Sequence, residues 1–356
     1  MPLTIDSIMP VKVFLPCSVI MSTLRKTDRY HLLMVTLSIF CLLSFISSVL
    51  VGTTTISPWE LWHALISPED NMLQMVFWEI RFPRAFLGIC VGFSLGITGA
   101  VMQGYMRNPL ADPGVLGVTG GASMGAVVAF YLGFATIYSY ALPIGGILGG
   151  FIVLCLVIVA SGRNATPQTL ILAGIAFSSL AGSVTSLVLN FSPNPHAAMD
   201  IVFWLLGSLK DRNMGHLYLS LPLMIPGWLL LLYCSRPLQA LTLGEETANS
   251  MGFSMKKVRS CIITGSALAV GPAIAVTGSI GFVGLIIPHL LRPLVGGDPG
   301  KLLPASGLGG AILLACSDII VRIVPFHSEL KLGVVTSLVG APFFLYLLLK
   351  VRKEAL

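Results

Sequence analysis

A chain that performs chemistry by itself displays a few reactive side chains at fixed spacing, and these 356 residues hold no such set. There is no GxxxxGK[ST] loop to cradle a nucleotide's phosphates. Paired carboxylates, an HExxH pattern and a Ser-His-Asp arrangement are all lacking. The six histidines, at positions 31, 63, 196, 216, 289 and 327, stand isolated. His196 and His327 fall on the expected outer side, where a haem or metal cargo would pass, but an interfacial or hydrogen-bonding role is the simpler reading. The seven cysteines show no CxxC or CxxH spacing and mostly sit in apolar runs, as buried structural thiols do. A metal site, a bound cofactor and catalysis are therefore not expected.

Charge is concentrated instead in residues 240–259, ALTLGEETANSMGFSMKKVR, which carry five charged side chains in a chain only 10% charged. Thr242 and Glu245 have capping-box spacing, so hydroxyl and carboxylate are each expected to satisfy a backbone N–H at a helix start. Glu245 and Glu246 suit the positive end of the helix dipole, and Gly252 is a natural stop. The spacing predicts a short helix over about Leu241 to Gly252. Leu243, Thr247 and Met251 share one face, with Ala248 adjoining. So short a helix needs a tertiary partner. Its small face is expected to fit a groove in another protein, with Ala248 at the contact.

Around this segment the composition is that of a membrane protein: 55% apolar residues, mean hydropathy +0.90, and repeated apolar runs of about 20 residues. The expected class is all-α and polytopic. Ten spans are predicted near 31–51, 82–103, 114–133, 138–160, 167–190, 216–235, 260–278, 280–297, 302–323 and 333–350. Residues 1–30 read as a cytoplasmic lead-in with Met21 as an alternative start, and 31–352 as one transmembrane domain. The longer connections, 52–81 and 191–215, hold Trp59, Trp62, Trp78 and Trp204, which suit a membrane–water interface. With the N-terminus inside, fifteen of the 21 Lys and Arg fall on the cytoplasmic side. Both termini and the polar helix are then cytoplasmic. The net charge of +6 is spread between spans and reports topology, with no nucleic-acid partner implied. Few ionisable groups lie at mid-membrane, which disfavours a proton relay. Asp318, in the ninth span, sits one turn from Arg322 and is expected to pair with it.

SLGITGAVMQGYMRNPLADPGVLG in the first half resembles AIAVTGSIGFVGLIIPHLLRPLVGGDPGKLLP in the second. Each runs from a small-residue helix with a Thr-Gly pair into a break with Asp-Pro-Gly. They start five spans apart, and an odd offset makes the halves inverted repeats, a common transporter plan. Asn108-Pro109 and Asp112-Pro113 predict an elbow at the cytoplasmic side, tolerable only where buried or facing water. GGASMGA, GGILGG and GLGGA are read as close helix packing in lipid.

Long motifs then carry a family resemblance over roughly residues 55 to 352. LGEETANSMGFSMKKVRS, the TGSIGFVGLIIPHLLRPLVGGDPGKLLPASGLGG stretch, RFPRAFLGICVGFSLGITGAVMQGYMRNPLADPGVLGVTGGASMG and ELKLGVVTSLVGAPFFLYLLLK resemble the FecCD permeases of ABC importers for iron–siderophore chelates, haem and vitamin B12. Lys331-Leu332 departs from the family's usual Pro before the Gly. The resemblance implies a type II importer fold with two inverted five-helix repeats. It also implies a second permease subunit, identical or a close paralogue, two cytoplasmic ATPases that use ATP and Mg, and a periplasmic or lipid-anchored binding protein. By the same resemblance, Thr242, Leu243, Gly244, Glu245, Glu246, Ala248, Met251 and Gly252 couple to the ATPase. Arg81, Arg84 and Arg322 dock the binding protein, and Thr166, Pro167 and Gln168 form a cytoplasmic gate. An ion- or proton-coupled secondary carrier is the rival reading, since it too uses inverted repeats and broken helices.

Overall fold

Each expected span appears as a helix, in order. The computed structural model describes residues 26–52, 72–162, 166–192, 195–324 and 330–354, with isolated positions between 52 and 72. Most of the expected lead-in, residues 1–25, lies outside the described residues, as do His63 and His327. The first half contains α1 (Lys26–Leu50), α2 (Phe82–Tyr105), α3 (Val118–Tyr131), α4 (Ala141–Ser161) and α5 (Pro167–Asn190). A connecting helix, α6 (Pro195–Leu205), leads into α7 (Met214–Tyr233). Two short polar-end helices follow, α8 (Ser235–Leu241) and α9 (Glu245–Ser250). The second half closes with α10 (Met255–Thr277), α11 (Val283–Leu291), α12 (Pro299–Ile323) and α13 (Leu332–Glu354). Among the described residues, seven helical stretches are long and apolar enough to cross a membrane.

Two stretches differ from the sequence expectation. Residues 72–81, expected as loop, are helical: Met72–Met75 and a π-helical turn, Val76–Arg81, run into α2 as one 34-residue stretch. Aromatic packing carries the helix outward, with the Phe82 ring 5.9 Å from Phe77 and 5.2 Å from Trp78. The eighth span, expected over 280–297, is only a nine-residue half-helix, α11. Backbone of positive φ brackets it, at Gly278 (74°) and Phe282 (67°) before and at Gly296 (67°) and Gly297 (75°) after. Phe282 adopts a conformation rare for a residue with a side chain, and its ring packs where a Cβ on Gly340 of α13 would stand.

The halves repeat in length, burial and partners. The second span of each half, α2 and α10, is the most enclosed, with 83% and 78% of its apolar window buried. The third is the short one, α3 or α11. α2 packs on α11 and α12, whereas α10 packs on α3 and α4, so each half's second helix lies against the other half's third and fourth. That exchange is what a pseudo-two-fold between inverted halves produces.

Lipid offers no hydrophobic drive to join helices, so close backbone packing must do it. Along the α2–α12 seam, a Cβ at Gly92 would collide with the Gly310 carbonyl, and one at Gly96 with the Ser306 carbonyl. Gly121 and Gly125 of α3 meet Gly149 and Gly145 of α4 in the same way. The small-residue motifs are packing surfaces.

Candidate functional site

The polar segment is built differently from its expected capping box. Thr242 turns back, its hydroxyl donating to the Gln239 carbonyl at 2.7 Å. The N-cap of α9 is Gly244, with φ 116° and no side-chain cap, so Glu245 begins the helix without reaching back. The Thr-x-x-Glu spacing fails because α8 runs through Leu241 and the chain needs a glycine to turn. The stop is as expected. Gly252, at φ 89°, donates to the Asn249 carbonyl (2.9 Å) and Phe253 to that of Ala248 (3.1 Å), the two bonds of a Schellman end.

Burial also sorts the faces of α9. Ala248 is 0% exposed within its own chain and belongs to the main core, so the expectation that it contacts another protein is corrected. A six-residue helix cannot hold itself, and Ala248 is the side chain that seats it. Leu243 and Met251 are 67% and 57% exposed, and Glu245, Glu246 and Thr247 are exposed beside them. The outward face therefore mixes two apolar side chains with two carboxylates.

The gate candidates form the start of α5. Thr166 is its N-cap, accepting from the Thr169 amide at 3.2 Å, and Pro167 occupies the first turn, where a missing N–H costs nothing. These residues meet the polar segment across a cavity of about 700 Å³. One side is lined by Thr166, Pro167 and Gln168, and the other by Leu241, Glu245 and Asn249. The ends of α2 and α10 complete it with Tyr105, Arg107, Lys256 and Arg259. Sequence reasoning named the gate and the polar helix separately and missed the four residues that join them. Arg107, Lys256 and Arg259 are visible as inside-rule cations, but their convergence is a product of the fold.

The elbow is real and well satisfied. Asn108 accepts from the Leu110 amide (2.9 Å) and Asp112 from the Gly114 amide (2.8 Å). Asp112 thereby caps a 3-10 turn, Pro113–Leu116, that leads into α3. Burial raises the Asp112 carboxyl above its ordinary pKa, and the Gly114 amide draws it partly back. Beside the elbow, Arg107 donates to the Leu241 carbonyl at 2.6 Å, tying α2 to α8. A second tie joins Gln239 of α8 to Asp298, the N-cap of α12, at 2.6 Å.

At the opposite end, Asp318 pairs with Arg322 at 2.8 Å as expected, and also with Arg84 of α2 at 2.8 Å. Asp318 is 2% exposed. Arg322 donates to the carbonyls of Ser48 (2.7 Å) and Val51 (2.5 Å), and Arg81 to those of Val49 (3.1 Å) and Leu50 (2.8 Å). Two cations thus cap the unpaired carbonyls at the end of α1. The three arginines come together as one cluster with extensive contacts inside the chain.

The comparisons match this geometry. The profile of the FecCD transport family covers residues 40–350. The chain is 35% identical to the vitamin B12 import system permease BtuC of Escherichia coli, over 89% of this chain and 94% of that one. It is 34% identical to the hemin transport system permease HmuU of Yersinia pestis, over 87% and 92%. A solved metal-chelate type ABC transporter in an inward-facing conformation superimposes with a TM-score of 0.78 at 33% identity, covering 90% of this chain and 99% of that one. With a family profile matching most of its length and relatives aligned end to end, the chain belongs to the FecCD transport family of ABC-importer permeases.

Proposed function

We propose that this chain is the membrane-spanning permease of an ATP-driven importer of ferric siderophore in a bacterial cytoplasmic membrane, with both termini in the cytoplasm. The carrying observation is α5. Only 17% of its apolar window is buried, yet its exposed side includes Gln168, Ser179, Ser183, Ser186 and Asn190. A span facing lipid on that side would gain nothing from such residues, whereas a water-lined path beside a second permease copy would. The hydroxyls of Ser183 and Ser186 bond the carbonyls one turn back, leaving the groove weakly polar rather than binding-competent. Exposed Leu172 and Ile175 separate these residues from Thr166–Gln168, on the wall of the cavity shared with α9.

In this reading two copies, or one copy and a close paralogue, enclose the path. Two ATPase subunits supply ATP and Mg chemistry and grip the outward face of α9. A binding protein outside offers carboxylates to Arg81, Arg84 and Arg322, which keep a formal excess of two positive charges over Asp318. The chain itself holds no cofactor and hydrolyses nothing. Likeness to a metal-chelate type transporter supports the iron chelate, with haem and cobalamin as the other cargoes.

The experiment is uptake in proteoliposomes containing permease, ATPase and binding protein. ATP-dependent accumulation of ferric siderophore is expected, and permease alone should hydrolyse no ATP. Accumulation of haem or cobalamin instead would reassign the cargo. Uptake driven by a proton or sodium gradient without ATP would establish the secondary carrier.

A further inference from the structure

The cavity between α5, α9, α2 and α10 has a charge balance that the translocation reading does not use. Its lining carries Arg107, Lys256 and Arg259 against one carboxylate, Glu245, a formal balance of +2 from three cations and one anion. Each guanidinium donates to a neutral acceptor. Arg259 donates from Nε to the Tyr105 hydroxyl at 3.3 Å, and Arg107 from Nη2 to the Leu241 carbonyl at 2.6 Å. The Asp318 carboxylate, committed to Arg84 and Arg322, lies at the far end of the molecule. Arg259 is half-buried beside the fully enclosed start of the core. Holding a partly desolvated cation without a counter-charge is unfavourable, and a guanidinium fork with four donors left matches the oxygens of a phosphate.

We propose that this cavity binds a phosphate group, presented either by an anionic phospholipid headgroup of the adjacent leaflet or by a soluble phosphate from the cytoplasm. The Arg259–Tyr105 bond orients the guanidinium across the cavity, Lys256 adds a point charge one turn earlier, and Arg107 closes the side next to α8. Met106, Leu241 and Met255 supply an apolar wall that suits a headgroup entering with part of its acyl region. Glu245 sets the geometry by excluding the anion from the α9 side. Basic pockets between helices at a cytoplasmic face are recognised by such headgroups. A purely topological set of cations would show no preference for the cavity, and Lys257 provides that comparison: it is exposed, adjacent in sequence and outside the lining.

The test uses the purified full chain in nanodiscs. In one arm, discs of phosphatidylcholine alone are titrated with inorganic pyrophosphate against chloride at matched ionic strength, reading the unfolding midpoint. In the other, phosphatidylglycerol replaces part of the lipid and native mass spectrometry counts retained headgroups. Saturable stabilisation or retention in either arm is expected, and the arm identifies the source. Lys256→Gln with Arg259→Gln should weaken it about tenfold, while Lys257→Gln should bind as wild type does. Lys256→Gln alone, at an exposed side chain, decides the matter should the double variant fold poorly. No saturable response in both arms, or equal losses at Lys257 and in the cavity, would overturn the site.

Discussion

Asp318 is the residue on which this end of the molecule turns, because one carboxylate holds guanidinium groups from two helices while one of them, Arg322, also caps a third. Removing one partner of an enclosed pair leaves the others unbalanced, at a cost of about 3–5 kcal/mol. Asp318→Asn is therefore expected to lower the unfolding midpoint sharply in detergent. Arg84→Gln leaves the Asp318–Arg322 pair intact and should cost distinctly less. Equal midpoints for wild type and Asp318→Asn would show that the cluster carries little of the fold. Binding-protein docking is a separate matter at this scale. If the excess positive charge attracts a partner, association should weaken with salt, though modestly, because Arg81, Arg84 and Arg322 are only 5%, 14% and 7% exposed and enclosed charges are screened less.

Among the elements, α9 separates anchoring from recognition. Ala248→Trp inserts an indole into the chain's own core, and overpacking costs roughly 1–3 kcal/mol. The yield of folded protein should fall. Leu243→Arg and Met251→Arg change only the exposed face, so folded yield should hold while recovery of the ATPase in a pull-down drops. Unchanged recovery with both exposed variants would remove α9 from the docking surface. Much of this organisation was legible beforehand, for reasons that differ by element. α5 is bounded by Thr166-Pro167 and Asn190, and its expected limits match the observed helix, because capping and proline chemistry are local. α11 was over-extended, since an apolar run does not reveal that Phe282 will take positive φ against Gly340. The side of α9 holding Ala248 was misassigned because amphipathicity tells which residues share a face, not what lies opposite. The cavity escaped notice for the same reason: Tyr105 and Arg259 are 154 positions apart and meet only in the fold.

For the whole molecule, the path proposed along the polar side of α5 is closed by a companion chain, and cross-linking tests that. In a cysteine-free background, Ser183→Cys should be joined to its counterpart by a bifunctional maleimide in membranes. Leu148→Cys, exposed on apolar α4, should remain monomeric on a denaturing gel. Cross-linking at Leu148 and none at Ser183 would place the companion on the other flank. The glycine seam between α2 and α12 has a mechanical consequence. Helices whose backbones touch cannot slip past one another by a residue, and this pair is fastened at one end by Arg84 and Asp318 and at the other through α8 by Arg107 and Gln239. The contact runs along some 37 Å, the length of 25 residues at about 1.5 Å each, with the helix bond missing at Pro304 lying near the α8 end. The pair is a stiff lever: a push delivered at α8 arrives at the mouth as displacement, with little of the stroke absorbed on the way.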